Sequence, residues 1–96
     1  MAFEVTFTKR AEDDFEDILN YIENEFGTKT AIHFKDLIIE FATLIQSFPE
    51  IGSLERSDKN IRGLVILRRL KVFYRIKKDN IIVLRLFDTR QHRGRI

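Results

Sequence analysis

Basic side chains that could bind phosphate or an acidic protein surface crowd the C-terminal third of this chain. Residues 61–96 hold eleven Lys and Arg against two Asp, a net charge of +9, whereas residues 1–60 carry a net charge of −7. The two parts sum to the formal +2 of the whole chain. Charge asymmetry of this kind within a small domain predicts one surface that attracts phosphate groups or acidic peptides.

The end of the chain contains the side chains best suited to phosphate chemistry. Arg90 can hold a phosphate with two parallel hydrogen bonds, and His92 can carry a proton near neutral pH. Both follow an apolar strand pattern directly, and binding groups are often placed where a strand ends. The competing interpretation is a frayed, solubilising terminus, in which Asp88 does no more than pair with Arg90.

Alternation along two apolar segments indicates where the remaining positive charge lies. In residues 70–77, Lys71, Phe73 and Arg75 share one face. In residues 81–87, side-chain alternation places Arg85 and Phe87 on the same face as Ile81 and Val83, opposite Ile82, Leu84 and Leu86. One sheet face then meets the helices, and the other displays a group of cations and rings: Lys71, Phe73, Arg75, Arg85 and Phe87.

Two interpretations of this cationic face stay open. A polar, basic sheet face with aromatic rings suits a nucleic acid backbone or an acidic peptide. Exposed faces of antiparallel sheets also carry Lys and Arg merely for solubility. Arg62 and Arg68 share a face of the preceding strand, which can be the same basic face.

The elements that must position these side chains follow from hydrophobic spacing. Residues 3–7 alternate apolar and polar residues, which predicts a half-buried strand. Thr8 then predicts a helix N-cap, and Gly27 predicts the end of that helix. Thr28 or Thr30 can cap a second helix, which Pro49 closes. Residues 9–48 therefore form an antiparallel helical hairpin whose Phe stripe packs in the core.

The rest of the chain is predicted to form strands. Residues 49–53 are typical of a turn, and a polar stretch follows to residue 60. Strands are expected at residues 61–67, 70–77 and 81–87, with a hairpin turn at residues 78–80. The sequence thus predicts an α+β domain of order β-α-α-β-β-β, with the hairpin packed on one face of a mainly antiparallel sheet.

Composition excludes several classes of protein. Ninety-six residues favour one domain, covering residues 1–96. The absence of Cys excludes disulfides and thiolate chemistry and fits the cytoplasm. No signal peptide or membrane span is recognisable. Two His side chains give little reason to expect a metal, and no cofactor is expected.

Several short motifs, in a fixed order along nearly the whole chain, resemble one family. They are Thr8-Lys9-Arg10-Ala11-Glu12, Tyr21-Ile22 before Phe26-Gly27, Ala31-x-x-Phe34, Phe48-Pro49-x-x-Gly52, Ile61-Arg62-Gly63-Leu64, Val72-Phe73-Tyr74-Arg75-Ile76 and Phe87-Asp88-Thr89-Arg90-Gln91. Together they are similar to the RelE/ParE superfamily, the toxins of bacterial type II toxin–antitoxin modules. The long hairpin, the Pro49-x-x-Gly52 turn and the Arg90-Gln91 ending favour the ParE-like branch.

The resemblance implies a plasmid-stabilisation toxin that a cognate antitoxin neutralises, as a hetero-oligomer or with the toxin as a homodimer. ParE-like members inhibit DNA gyrase by binding it and have no known hydrolytic site. On this interpretation the target-binding residues are Arg62, Lys71, Arg75, Arg85, Arg90 and Gln91.

The alternative that the resemblance implies is a RelE-like nuclease that cleaves mRNA on the ribosome. Its catalytic candidates here are Arg62, Lys71, Arg90 and His92. RNA cleavage by attack of the 2′-hydroxyl needs a proton acceptor and a proton donor. No Tyr follows Arg90, so His92 would have to supply at least one of those functions.

Overall fold

The predicted helical hairpin packed on a sheet is the architecture of this chain. A computed structural model describes residues 3–88. The elements are β1 (Glu4–Phe7), α1 (Lys9–Phe26), α2 (Thr28–Ser47), β2 (Ser53–Arg56), a 3₁₀ turn (Ser57–Lys59), β3 (Ile61–Ile66), β4 (Leu70–Lys77) and β5 (Asn80–Asp88). The five strands lie in the order β1-β5-β4-β3-β2, and only β1, which runs parallel to β5, departs from the antiparallel pattern. The predicted α+β class is confirmed.

The first helix begins and ends at the residues that its capping signals predict. The Thr8 hydroxyl accepts a hydrogen bond from the Ala11 amide at 3.0 Å, and Gly27 adopts a positive φ of 94° between the helices. The predicted side-chain cap of α2 is wrong. Thr28 is already helical, and its hydroxyl donates to Glu23 instead. Gly27 supplies the sharp turn, so the second helix starts without a side-chain cap.

β2 is an edge strand that the sequence did not predict. Residues 53–56 pair antiparallel with β3 through Ser53–Gly63 and Leu54–Arg62. All four residues of β2 are exposed, so the segment lacks the apolar alternation by which a half-buried strand is recognised. The predicted polar stretch therefore contains a strand.

A bulge in β5 reverses the predicted alternation of its side chains. Phe73 pairs with Arg85, but the next residue of β4, Tyr74, pairs with Val83, so Leu84 is an extra residue. Ile81 and Val83 are buried under the helices before the bulge, and Leu86 is buried after it. Arg85 consequently lies on the face opposite Ile81 and Val83. The predicted sharing of one face by these residues is wrong.

The core lies between the hairpin and the inner face of β4 and β5. Ile22 and Ile45 from the helices meet Val72, Tyr74 and Val83 from the sheet, and all are at least 99% buried. The predicted burial of the Phe stripe holds for Phe34 and Phe41. It fails at both hairpin ends, where Phe26 is 50% exposed and Phe48 is 61% exposed.

Candidate functional site

The face of β4 and β5 that is turned away from the helices brings basic and aromatic side chains together. It carries Lys71, Phe73 and Arg75 from β4, because the intervening Val72 and Tyr74 are buried. The cross-strand register places Arg85 opposite Phe73 and Phe87 opposite Lys71. We call this surface the outer face and define it by five residues: Lys71, Phe73, Arg75, Arg85 and Phe87.

Two aromatic rings form the centre of the outer face. The Phe73 and Phe87 rings meet edge to face, with their centroids 5.8 Å apart and their planes at 85°. The Lys71 ammonium lies 4.9 Å from the Phe73 centroid, and the Arg85 guanidinium lies 4.6 Å from the Phe87 centroid. Cation–π contacts at these distances are attractive. They hold the positive charges close to the rings.

Arg85 is tied to the first helix. Its Nε donates to Asp14 Oδ2 at 2.7 Å and its Nη2 donates to Asp14 Oδ1 at 3.2 Å. The same Oδ2 accepts the Leu86 amide at 3.0 Å. The hydrogen bond that Arg85 donates to Asp14 raises the pKa of Arg85 above its ordinary value, more than burial lowers it. Arg85 is thus a fixed charge whose donors are partly occupied.

Lys71 also has an acidic neighbour, which the sequence did not identify. Its Nζ lies 3.6 Å from Glu55 Oε2 of β2, and both side chains remain about one-third exposed (38% and 32%). The Ser53 hydroxyl donates to the same Glu55 oxygen at 3.0 Å. The pair crosses over Gly63, where an added Cβ would lie 2.9 Å from Glu55 Oε2 and 3.0 Å from Lys71 Cε.

Arg75 is the cation of the outer face whose charge is not paired. It lies between Ile61 of β3 and Ile82 of β5. Within residues 3–88, no hydrogen bond or salt bridge engages its guanidinium. All five donors of this group therefore remain available to a partner.

Arg62 lies on the opposite side of the sheet, which corrects the prediction that it can share the basic face with Lys71 and Arg75. It pairs with the buried Tyr74, and its Nη1 donates to the carbonyl oxygens of Gly52 at 2.8 Å and Glu50 at 3.3 Å. Its Nε is buried and has no hydrogen-bond partner. Arg62 holds the turn before β2 instead of contributing to the outer face.

The motif Pro49-x-x-Gly52 forms the turn that Arg62 holds, and Tyr74 binds the same turn. The Tyr74 hydroxyl donates to the Pro49 carbonyl at 2.7 Å and accepts the Gly52 amide at 3.0 Å. An added Cβ on Gly52 would lie 2.9 Å from both the Gly63 carbonyl oxygen and the Tyr74 hydroxyl. Residue 52 must be glycine because the neighbouring atoms leave no room for a Cβ. The Pro49-x-x-Gly52 motif and Arg62 therefore both stabilise the turn before β2.

An apolar groove runs along the helix-covered side of the sheet, between α2 and β3. Part of it is a cavity of about 140 Å³ lined by Leu37, Phe41, Leu44, Leu64 and Ile66, among others. A second cavity of about 340 Å³ shares Leu37 and Ile66, and its lining includes the polar side chains of Thr30, His33, Arg69 and Asp88. We call this surface the α2–β3 groove.

The remaining candidates, Arg90, Gln91 and His92, lie outside the described residues. Asp88, the last described residue, is fully buried. Among residues 3–88, no group of three or more His, Asp or Glu side chains is arranged to hold a metal ion. Neither helix of the described part combines the length and the apolar composition that crossing a membrane requires.

Comparisons with known proteins identify the family and the fold of the chain. Residues 5–93 match the family model of the ParE toxin of the type II toxin–antitoxin system parDE. Among solved structures, the chain is similar to the chromosomal ParDE system of P. aeruginosa, with 20% identity and a TM-score of 0.75 over 91% of this chain and 96% of that one. No curated protein matches the chain.

Two further solved complexes show the same fold. The RelBE2 toxin–antitoxin complex of Mycobacterium tuberculosis aligns with 19% identity and a TM-score of 0.66, over 92% of this chain and 99% of that one. The E. coli DinJ–YafQ complex aligns with 12% identity and a TM-score of 0.58, over 98% and 100%. Since the family model spans nearly the whole sequence, this chain belongs to the ParE toxin family of type II toxin–antitoxin systems.

Proposed function

We propose that this protein inhibits DNA gyrase by binding it through the outer face, as the toxin of a plasmid-stabilisation module acting in the cytoplasm. The observation that carries the proposal is the unpaired Arg75 guanidinium beside the edge-to-face pair of Phe73 and Phe87. Arg and aromatic side chains dominate the energetic centres of protein interfaces. Lys71 and Arg85, already held against the rings, add fixed positive charge at little further cost in side-chain entropy.

The experiment that tests this proposal is a supercoiling assay with purified gyrase and relaxed plasmid. Titration with the purified chain is expected to stop supercoiling while leaving the message pool of a translating extract intact. Normal supercoiling at saturating protein would refute gyrase as the target.

The α2–β3 groove is the proposed site for the cognate antitoxin. Its apolar lining and the 38% exposure of Leu44 suit the apolar face of an amphipathic helix. Leu44→Asp is expected to weaken antitoxin binding by about tenfold or more, because it places a charge in a desolvated contact. Ile39→Asp is the matched control, since Ile39 is an exposed apolar residue of the same helix outside the groove lining. Equal losses in the two variants would remove the groove as the site.

A ribosome-dependent nuclease is the second candidate, and Glu55 is the observation that favours it. A carboxylate 3.6 Å from the Lys71 ammonium offers a proton acceptor beside a group that can stabilise a phosphorane charge. Primer extension on translated mRNA would show cuts that disappear in Glu55→Gln. Intact message during growth arrest would leave gyrase binding as the remaining proposal.

A further inference from the structure

Among the strands of residues 3–88, none pairs with the outer edge of β1. Glu4 N donates to Asp79 O at 3.1 Å and Thr8 N donates to Val83 O at 3.0 Å, so alternate residues of β1 face β5. The backbone groups of Val5 and Phe7 consequently face away from the sheet. In the part of the chain that the structure describes, no strand pairs with this edge. At the start of this strand edge, Gln46 Nε2 donates a hydrogen bond to Phe3 O at 3.0 Å.

An open groove of about 730 Å³ lies beside this edge. Its apolar lining comes from Val5 and Phe7 of β1 and from Phe15 and Ile38 of the two helices. An unpaired strand edge next to an apolar groove is the arrangement that binds an added strand, whose main chain pairs with the edge and whose alternate side chains fill the groove.

The charge at this groove is opposite to that of the outer face. Glu12 and Glu16, one turn apart on α1, line the groove and are exposed. Lys9 pairs with Asp13 at 3.0 Å instead, and within residues 3–88 no salt bridge engages Glu12 or Glu16. Because two carboxylates that form no salt bridge within residues 3–88 border the groove, electrostatic complementarity favours a basic occupant.

We propose that the β1 edge binds an extended basic segment of a partner protein by strand addition, with apolar side chains beside Val5 and Phe7 and Lys or Arg beside Glu12 and Glu16. A second copy of this chain is a poor occupant. Symmetric pairing of two β1 edges would bring Glu4, Glu12 and Glu16 of both copies together, and like charges juxtaposed at an interface oppose binding. This surface is separate from the outer face and the α2–β3 groove, so it does not depend on the identity of the toxin's target.

The test uses the full chain and a synthetic peptide of about eight residues that alternates Lys and Val, blocked at both ends. Titration followed by amide NMR is expected to shift the Val5 and Phe7 signals saturably. Glu12→Lys/Glu16→Lys should weaken peptide binding by about tenfold. Asp36→Lys/Glu40→Lys, the same charge reversal at the same spacing on α2, should leave the affinity within about twofold.

Two control peptides make the proposal falsifiable. A Glu–Val peptide should not bind, and a Lys–Val peptide with alternate backbone amides methylated should lose binding, because it cannot donate to the strand edge. The proposal is overturned if the methylated peptide binds as tightly as the parent peptide, if both charge-reversal variants lose affinity equally, or if saturating peptide leaves the Val5 and Phe7 signals unmoved.

Discussion

The Asp14 carboxylate of α1 accepts two hydrogen bonds from the Arg85 guanidinium of β5, at 2.7 and 3.2 Å. The contact joins the start of the helical hairpin to the bulged part of the last strand, just past the point where β1 ends. Beyond that point, no strand within residues 3–88 lies beside β5 on this side, and the same carboxylate accepts the Leu86 amide. One acidic side chain thus closes a strand edge and orients a cation of the outer face.

Asp14→Ala is expected to destabilise the fold by about 1.5–3 kcal/mol, because it removes hydrogen bonds to a charged group and leaves a backbone amide without a partner. Urea denaturation measures the change. Asp13→Ala is the control, since its ion pair with Lys9 is exposed and should contribute much less to stability than the contacts of Asp14. Equal losses in the two variants would contradict a structural task for Asp14.

Tyr74→Phe is expected to cost about 1–3 kcal/mol, since the Pro49 carbonyl and the Gly52 amide lose their hydroxyl partner. Burial raises the pKa of Tyr74 above its ordinary value of 10.0. Folding therefore favours the neutral phenol, and this stabilisation is complete below pH 10.0 and lost as the pH rises through the higher folded-state pKa. Urea denaturation between about pH 8 and pH 11 should show a steeper loss for the wild type than for Tyr74→Phe. If the stability of the two proteins fell in parallel with rising pH, the result would contradict a raised pKa of Tyr74 in the folded state.

Gly52, in the turn before β2, and Gly63, within β3, should respond differently to alanine. Gly52→Ala places its Cβ against the Gly63 backbone and the anchored Tyr74 hydroxyl, so we expect a loss of about 1–3 kcal/mol from overpacking. Gly63→Ala meets only the ends of Glu55 and Lys71, which can move, and should cost less than about 1 kcal/mol. Thermal denaturation compares them. A larger loss in Gly63→Ala would show that the Lys71–Glu55 pair is rigid.

Arg62→Met should separate folding from target binding. The variant loses the hydrogen bonds to the carbonyls of Glu50 and Gly52, at a cost of about 1–2 kcal/mol, but keeps the outer face intact. At a temperature where circular dichroism shows it fully folded, it should inhibit gyrase as the wild type does. Lost inhibition in the folded variant would return Arg62 to the target-binding set.

Local patterns were enough to predict the helices and the faces of β4. Thr8 marks the start of α1 through its side-chain hydroxyl, and Gly27 marks the end through its positive φ. Alternation alone places Lys71 and Arg75 on one face, because β4 is regular along its whole length. These features depend on neighbours in sequence, which periodicity reports directly.

The errors concern features that tertiary pairing decides. The bulge at Leu84 depends on where β1 ends, on the hydrogen bond that Thr8 donates to the Leu84 carbonyl and on the one that Asp14 accepts from the Leu86 amide. The side taken by Arg62 depends on its register with Tyr74. Glu55 was missed because exposed β2 carries no apolar signal. None of these can be read from one segment in isolation.

The outer face as the target-binding surface is tested most directly by comparing two variants, Arg75→Ala and Lys35→Ala, in a gyrase assay. The measured quantity is the protein concentration that halves the rate of supercoiling. Arg75 lies unpaired on the outer face, whereas Lys35 is an exposed cation of α2 on the other side of the sheet. We expect Arg75→Ala to raise this concentration by about tenfold or more and Lys35→Ala to leave it nearly unchanged. Equal inhibition by both folded variants would contradict the account.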